Sequence, residues 1–525
     1  MRPLGQRLGP RGETDQMTSG RYHLARLAEQ SFERNGDYES LFFEGAWYRT
    51  GDLFERSRRL GGGLIELGIE PGDRVVVMMS NTPDVGIAYT ALWRAGAAIT
   101  PAIFLLPPAE LRYILEHSEA RAIITTPEFL PNLRQAADGV ETVKWIVCAG
   151  PEEPGVIPLS SLEEADAADI VDRNDTDLAA LLYTGGTTGR AKGVMLSHEN
   201  LWFCAKSSYD ASHVPGVNRA IVPLPLSHAF GLIVTIVGMH TEERGAAVLQ
   251  RWFEPTSFLQ SIAEHQLQYA AVVPSMVQIL LGHPLEDHDL SSLRYVVCGA
   301  APLPTEVALE FERRVPGVEI REGYGCTESG AVISTTPPGE RKLGSVGKPI
   351  RGYELRIVDD QDNDVPVGEL GEVCCRSRGV MLGYWKAPDV TAQTLRDGWL
   401  HTGDIGRIDE DGYLWIVDRK KDLIIRGGFN VYPRDVEDAL LEHPEVAMAG
   451  VVGRPDERHG EEIVAFVSVQ PGSEVTPEEL VAFAKERIGG YKYPREVHIV
   501  PTVPLTPVGK VDRKQLRGMV PSAAS

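Results

Sequence analysis

The chain has 525 residues, 43% of them hydrophobic and 24% charged; this is too much apolar material for one small core, so two or more packed domains are expected. A formal net charge of −22 sets the surface against phosphate backbones and anionic lipid headgroups, which removes nucleic acid and membrane surfaces from the default partners but leaves room for a locally basic pocket. Six cysteines, with Cys374 and Cys375 adjacent and no C-x-x-C pair, offer neither a zinc knuckle nor a disulfide framework and point to a reducing cytoplasm.

In chain order, residues 1–20 are rich in Arg, Gly and Pro, lack a signal-peptide apolar stretch and read as a disordered lead, with Met17 an alternative start. Apolar runs at 74–79, 122–125, 145–148 and 295–298 read as buried strands. Segments 52–67 and 108–117 between them read as helices. This alternation predicts an α/β fold with largely parallel sheets. Residues 151–175 are acidic and proline-bearing, and read as a surface connection. The longest apolar run, 230–239, is too short to span a bilayer. Asp411-Gly412 signals a turn before a strand at 413–417. After residue 420 come strands at 447–452 and 463–469 and helices at 434–442 and 476–487. The expected organisation is a lead (1–20), a large N-terminal domain of packed α/β sheets (21–420) and a small mobile α+β C-terminal domain (421–525).

The most informative stretch is Tyr183-Thr184-Gly185-Gly186-Thr187-Thr188-Gly189-Arg190-Ala191-Lys192-Gly193. Its glycines let backbone N–H groups surround an anion, its threonines add donors, and Lys192 adds a positive charge, which suits a polyphosphate. No G-K-[ST] follows four residues after a glycine, so this is not a Walker A loop. Its flanks, 178–183 and 194–197, read as two strands, with a helix from about Glu199. Taken alone, the loop is also compatible with a glycine-threonine turn of no chemistry.

Other stretches bear on that choice. Cys298-Gly299-Ala300-Ala301-Pro302-Leu303 links a strand to a helix, Tyr324-Gly325-Cys326-Thr327-Glu328 pairs an aromatic ring with a carboxylate, and His401-Thr402-Gly403-Asp404 ends on a carboxylate that suits a ribose diol. Leu224-Pro225-Leu226-Ser227-His228-Ala229-Phe230-Gly231 and Pro504-Leu505-Thr506-Pro507-Val508-Gly509-Lys510 complete the set. Taken in chain order, across residues 21–516, these stretches and the loop resemble the adenylate-forming superfamily of acyl-CoA synthetases, luciferases and peptide-synthetase adenylation domains. Gly185 and Ala191 stand where the usual loop has Ser and Pro, a version similar to bacterial long-chain fatty acid CoA ligases.

The resemblance implies ATP, Mg²⁺ and coenzyme A as reactants or cofactors. Thr184, Gly185, Gly186, Thr187, Thr188, Gly189 and Lys192 would hold the phosphates. Gly299, Ala300 and Ala301 would wall the adenine, and Tyr324 would stack on it. Thr327 would contact the α-phosphate, Glu328 would hold Mg²⁺, and Asp404 with Arg419 would hold the ribose. His228 would border the acyl pocket. Lys510 would bridge the substrate carboxylate and the α-phosphate. A hinge at Lys421 would let the small domain rotate, taking Lys510 out and bringing Gly427 and Gly428 in beside the pantetheine arm.

The acyl pocket is expected along residues 230–239 and 272–280, almost wholly apolar apart from Gln278 and free of Arg and Lys. That suits a medium- or long-chain fatty acid, with an aryl acid next, and argues against a dicarboxylic acid. A fatty acyl-AMP ligase serving a carrier protein and a non-catalytic nucleotide-binding protein remain as alternatives. The expected partners are a small-molecule carboxylic acid, ATP and CoA, with a homodimer as the one protein partner and no integral membrane segment.

Overall fold

The computed structural model describes residues 20–184, 190–456, 458–506 and 510–520. The expected lead at 1–19, phosphate-loop residues Gly185 to Gly189 and the tip 507–509 of the lysine loop lie outside the described residues.

Two large sheets form the N-terminal domain. The first is eight-stranded. Its centre is Arg74–Met78, flanked by Ala98–Pro101 and Ala122–Thr125 in parallel register. These strands are short, almost wholly buried and largely apolar because helices cover both faces. Trp145–Cys148 continues the parallel run. The 151–175 segment is more than a connection: Ile157–Pro158 adds a parallel edge strand and Leu159–Leu162 forms one helical turn packed on helix Thr50–Leu67. On the other side, Leu178–Thr184 and Lys192–Ser197 form an antiparallel pair around the phosphate loop, and Gly383–Tyr384 is the last strand. Ser197 then caps helix His198–Ser212 through a capping box with Asn200.

The second sheet is nine-stranded, with a parallel centre of Arg219–Val222, Ala246–Leu249, Tyr269–Val272, Tyr295–Cys298 and Glu319–Tyr324. Strand Glu39–Phe43 joins it in parallel beside Ala246–Leu249. Helix Ala229–Met239, the longest apolar run, packs against this sheet as a core helix.

Parallel pairing, expected to predominate, is confined to these two sheets and one edge of the small domain. A five-stranded sheet built on Glu354–Val358, Gly371–Arg376 and Trp399–Ile408 is antiparallel, as are its Trp399–Ile408 and Leu414–Arg419 strands around the Asp411-Gly412 turn. The turns on either side of Trp399–Ile408 are short hairpins, which permit only that arrangement for the strands they join. The small C-terminal domain has its own core of Val431, Val436, Leu440, Val451, Ile463 and Val467, under helices Pro433–Leu441 and Pro477–Arg487. Arg434 ties it to the large domain: its backbone N–H donates to Asp418 Oδ2 at 2.9 Å and its guanidinium to the Ile416 carbonyl at 3.0 Å.

Candidate functional site

One cavity of about 2010 Å³ opens where the two large sheets, the antiparallel sheet and the small domain meet. Ligands bind at the carboxyl ends of parallel strands in open α/β sheets, and the motif residues sit there. Gly299 follows strand Tyr295–Cys298; a Cβ on it would lie 3.1 Å from the Gly323 carbonyl oxygen, so the backbone can approach this closely only without a side chain. Ala300 next to it has φ 71°, a conformation that costs energy for a residue with a Cβ and is tolerated where the surroundings impose it. Gly325 is as constrained: its Cβ would fall 2.1 Å from the Ala331 oxygen.

Tyr324 ends strand Glu319–Tyr324, and its hydroxyl donates to Asp404 Oδ2 at 2.7 Å. Asp404 is buried (8% exposed) on strand Trp399–Ile408, directly across the ladder from Arg419, whose Nε lies 3.4 Å from Oδ1. Burial raises the Asp404 pKa, and Arg419 opposes that rise. The carboxylate is therefore held by a phenol and a guanidinium at one wall of the cavity.

Glu328 sits in the short turn Thr327–Ser329. Tyr384 donates its hydroxyl to Glu328 Oε1 at 2.8 Å. The second Glu328 oxygen has no hydrogen-bond partner among the described residues. A hard divalent cation prefers such an oxygen donor together with phosphate oxygens, so the residue type and its open oxygen fit Mg²⁺.

Lys510 brings the small domain into the same site. Burial pushes its ammonium down to about 8, Arg419 adds to the shift, and Asp404 and Glu328 pull the other way. Its loop is closed by Thr506, whose N–H donates to the Lys510 carbonyl at 2.7 Å and whose Oγ1 accepts from the Lys510 N–H at 3.2 Å. His228 lies beside it: burial, with Lys510 second, lowers its pKa to about 4, so it is neutral at neutral pH. His228 Nδ1 accepts from the Phe230 N–H at 3.2 Å and thereby caps helix Ala229–Met239.

The structure thus gathers Thr184, Lys192, His228, Gly299, Ala300, Ala301, Tyr324, Thr327, Glu328, Asp404, Arg419 and Lys510 around one cavity. It does not bring Gly427 and Gly428 there. They form an exposed turn between strands Ile424–Arg426 and Phe429–Val431, with φ of 58° and 83°, and the Gly427 N–H donates to the His459 carbonyl.

Two residues are missing from the sequence-based set. Tyr384 pairs with Val194 across the sheet edge, holds Glu328, and has the Lys192 ammonium 4.9 Å from its ring centroid. One side chain therefore supports both the carboxylate and the phosphate-loop lysine. Glu372 accepts from the Gly403 N–H at 3.2 Å and pairs with Lys420 at 3.3 Å, joining the Asp404 loop to the segment leading into the small domain. Neither lies in a motif, and only the sheet register reveals them.

The model of the AMP-binding enzyme family matches residues 28–385, and that of the AMP-binding enzyme C-terminal domain matches residues 435–510. The chain belongs to the AMP-binding enzyme family. Within it the protein is an AMP-forming carboxylic acid–CoA ligase. A feruloyl-CoA synthase of Amycolatopsis is 36% identical over 473 residues, covering 89% of this chain and 92% of that protein. A long-chain-fatty-acid–CoA ligase of Escherichia coli is 34% identical over 529 residues, covering 94% of each. Among solved structures, the anthranilate CoA ligase AuaEII in complex with anthranoyl-AMP aligns with a TM-score of 0.89 at 28% identity, covering 95% of this chain and 97% of that one. Among the described residues, no helix of the ligase is long and apolar enough to cross a membrane.

Proposed function

We propose that the ligase activates a medium- or long-chain fatty acid in the cytoplasm, with residues 21–420 binding the reactants and residues 421–525 as the mobile domain. The observation that carries this reading is the arm of the cavity leading away from Gly299. It passes between helix Ala229–Met239 and the nine-stranded sheet and is lined by Phe230, Val234, Ala271 and Val297, with Gln278 polar and no basic side chain to pair a second carboxylate.

In the first half-reaction a carboxylate oxygen attacks the α-phosphorus, the bond to the β-phosphate breaks, and pyrophosphate leaves. The acid is already ionised at neutral pH, so no general base is needed and the protein's work is positioning and charge stabilisation. Asp404 and Arg419 hold the ribose, the glycine-threonine loop with Lys192 holds the phosphates, and Thr327 contacts the α-phosphate. Lys510 spans the acid and the α-phosphate and stabilises charge as it moves to the leaving group. Mg²⁺ bound at Glu328 supplies neutralisation of the phosphate charge. Rotation about Lys421 then withdraws Lys510 and brings in the Gly427-Gly428 turn, and the CoA thiolate attacks the acyl carbonyl and displaces AMP.

A second reading, an aryl acid, is supported by the likeness to the feruloyl-CoA synthase. The test is AMP release over a panel of linear and hydroxycinnamic acids, with and without CoA. The fatty-acid reading expects the highest kcat/KM on a linear acid and strict dependence on CoA. A hydroxycinnamate that outperforms every linear acid establishes the aryl reading instead. Full turnover without any thiol overturns CoA as the acceptor.

A further inference from the structure

Beyond the nucleotide site the cavity is continuous, and its walls come from two groups of elements, one the more apolar. The first, described above, is floored by alternate residues of the parallel strands, among them Ala220, Val222, Ala247 and Ala271. Their small size is what leaves room between sheet and helix. The second lies against helices Leu24–Asn35, Thr50–Leu67 and Pro83–Arg94, where Ser31, Asn35, Thr50, Ser57 and Thr90 are interspersed with apolar residues such as Phe32, Leu53 and Ile87, and it adjoins the first where the Asn35 side chain donates to the Thr241 carbonyl. An alkyl chain there would separate hydroxyl and amide groups from water, whereas the first arm offers it apolar walls continuous with the Gly299 turn.

Along helix Ala229–Met239, Phe230, Val234 and Gly238 recur at four-residue spacing and line the cavity. The first two present side chains to the apolar arm. The third presents none: a Cβ on Gly238 would meet nothing within 4 Å outside its own helix. Glycine weakens a helix relative to alanine, and here no close neighbour requires it. From His228 to Gly238 the helix rises about 15 Å at its usual 1.5 Å per residue. That is room for roughly thirteen extended carbons, since a zigzag chain with single bonds near 1.5 Å advances about 1.25 Å per bond.

We propose that Gly238 is the position that sets the longest acid the ligase accepts: its missing side chain keeps the far end of the apolar arm open. This rests on the fatty-acid reading and sharpens it, because a chain longer than the helix segment must pass Gly238 and a shorter one need not. A side chain at this position closes the arm to long acids while the nucleotide site stays intact.

The experiment measures kcat/KM over linear saturated acids from hexanoate to octadecanoate for the wild type, Gly238→Ala, Gly238→Leu and Gly86→Leu. Gly86 is a second cavity-lining glycine whose Cβ would meet nothing within 4 Å, and it stands on helix Pro83–Arg94 in the second, less apolar wall. Gly238→Leu is expected to lower kcat/KM for hexadecanoate by about tenfold or more, since a pocket registers single methylenes at this level. Octanoate should stay within about twofold by the same measure, and it also reports that the variant is folded. Gly238→Ala should fall between, and Gly86→Leu should leave the length profile in place. An unchanged profile in Gly238→Leu, or a profile that moves only in Gly86→Leu, overturns the proposal. A wild type that prefers hydroxycinnamates to every linear acid overturns the fatty-acid reading itself, so the two failures are distinct.

Discussion

The small domain presents two candidate functional elements, and the structure treats them oppositely. Lys510 is half-buried and lines the cavity beside Arg419, Asp404 and Glu328. The Gly427-Gly428 turn is exposed and lines none of it. Both belong to one packed body, with Arg426 paired to Glu462 on one side and Arg513 to Glu437 on the other. They cannot both reach the nucleotide without the whole domain turning. With the roles proposed above, this arrangement suits acyl-adenylate formation, and thioester formation calls for a different one.

The largest expected effect tests that opposition directly. Lys510→Ala should lower acid-dependent ATP–pyrophosphate exchange by about two to three orders of magnitude, the cost of removing a group aimed at developing charge. The same variant should still make thioester from supplied acyl-AMP and CoA. Gly428→Trp should show the reverse pattern. Equal loss of both half-reactions in both variants, at unchanged thermal stability, means that the elements do not alternate.

A smaller effect is expected at Tyr384. Tyr384→Phe removes the hydroxyl that holds Glu328 but keeps the ring under Lys192, and should lower exchange by about tenfold, as for loss of one hydrogen bond to a charged group. If Tyr384 acts through Glu328, the loss shows chiefly as a raised Mg²⁺ requirement, and saturating Mg²⁺ recovers most of the rate. A loss independent of Mg²⁺ concentration assigns Tyr384 a role of its own.

The mildest test is a titration. In the proposed mechanism Lys510 acts as a cation, and its site brings its pKa down from the ordinary lysine value to about 8. The protonated form therefore prevails below pH 8 and is lost above it, so kcat/KM for ATP in the exchange reaction should fall tenfold per pH unit on the alkaline side. This ratio reports the free enzyme. His228, lowered to about 4, stays neutral across that range and contributes no step. A flat profile through pH 9 would mean that Lys510 is not needed as a cation.

Much of this arrangement is legible in the amino-acid sequence, and the limit follows from locality. Strands Ala122–Thr125, Trp145–Cys148 and Tyr295–Cys298 are read to the residue, because each is a short apolar run closed by turn-forming neighbours. The strand-loop-strand setting of the phosphate loop is likewise local. Tyr384 is not, because its significance arises only when Gly383–Tyr384 pairs with Lys192–Ser197, far away in the chain. Apart from the strand at 413–417, the antiparallel sheet escapes for a related reason: Glu354–Val358 and Trp399–Ile408 are half-exposed and lack the continuous apolar runs that mark Arg74–Met78. Gly238 is silent in another way, since a helix glycine reads as a weak position until the space beside it is seen. The acid is legible only as an apolar one, because the cavity wall is assembled from strands and helices that no single motif contains.

The pairing of strand Glu39–Phe43 with Ala246–Leu249 bears on how the chain comes to be folded at all. The ion pair that closes this edge, Glu44 with Arg251, spans 207 residues. At a synthesis rate of about 5–20 residues per second, the early strand waits roughly 10–40 s for its partner. Until then the hairpin it makes with Ala46–Arg49 must persist with one edge unpaired, a template for the wrong neighbour. This contact can form only once residue 249 has been made, before the parallel contacts of Tyr269–Val272, Tyr295–Cys298 and Glu319–Tyr324 become available, and the ribosome sets the pace at which the acyl-binding half of the molecule can close.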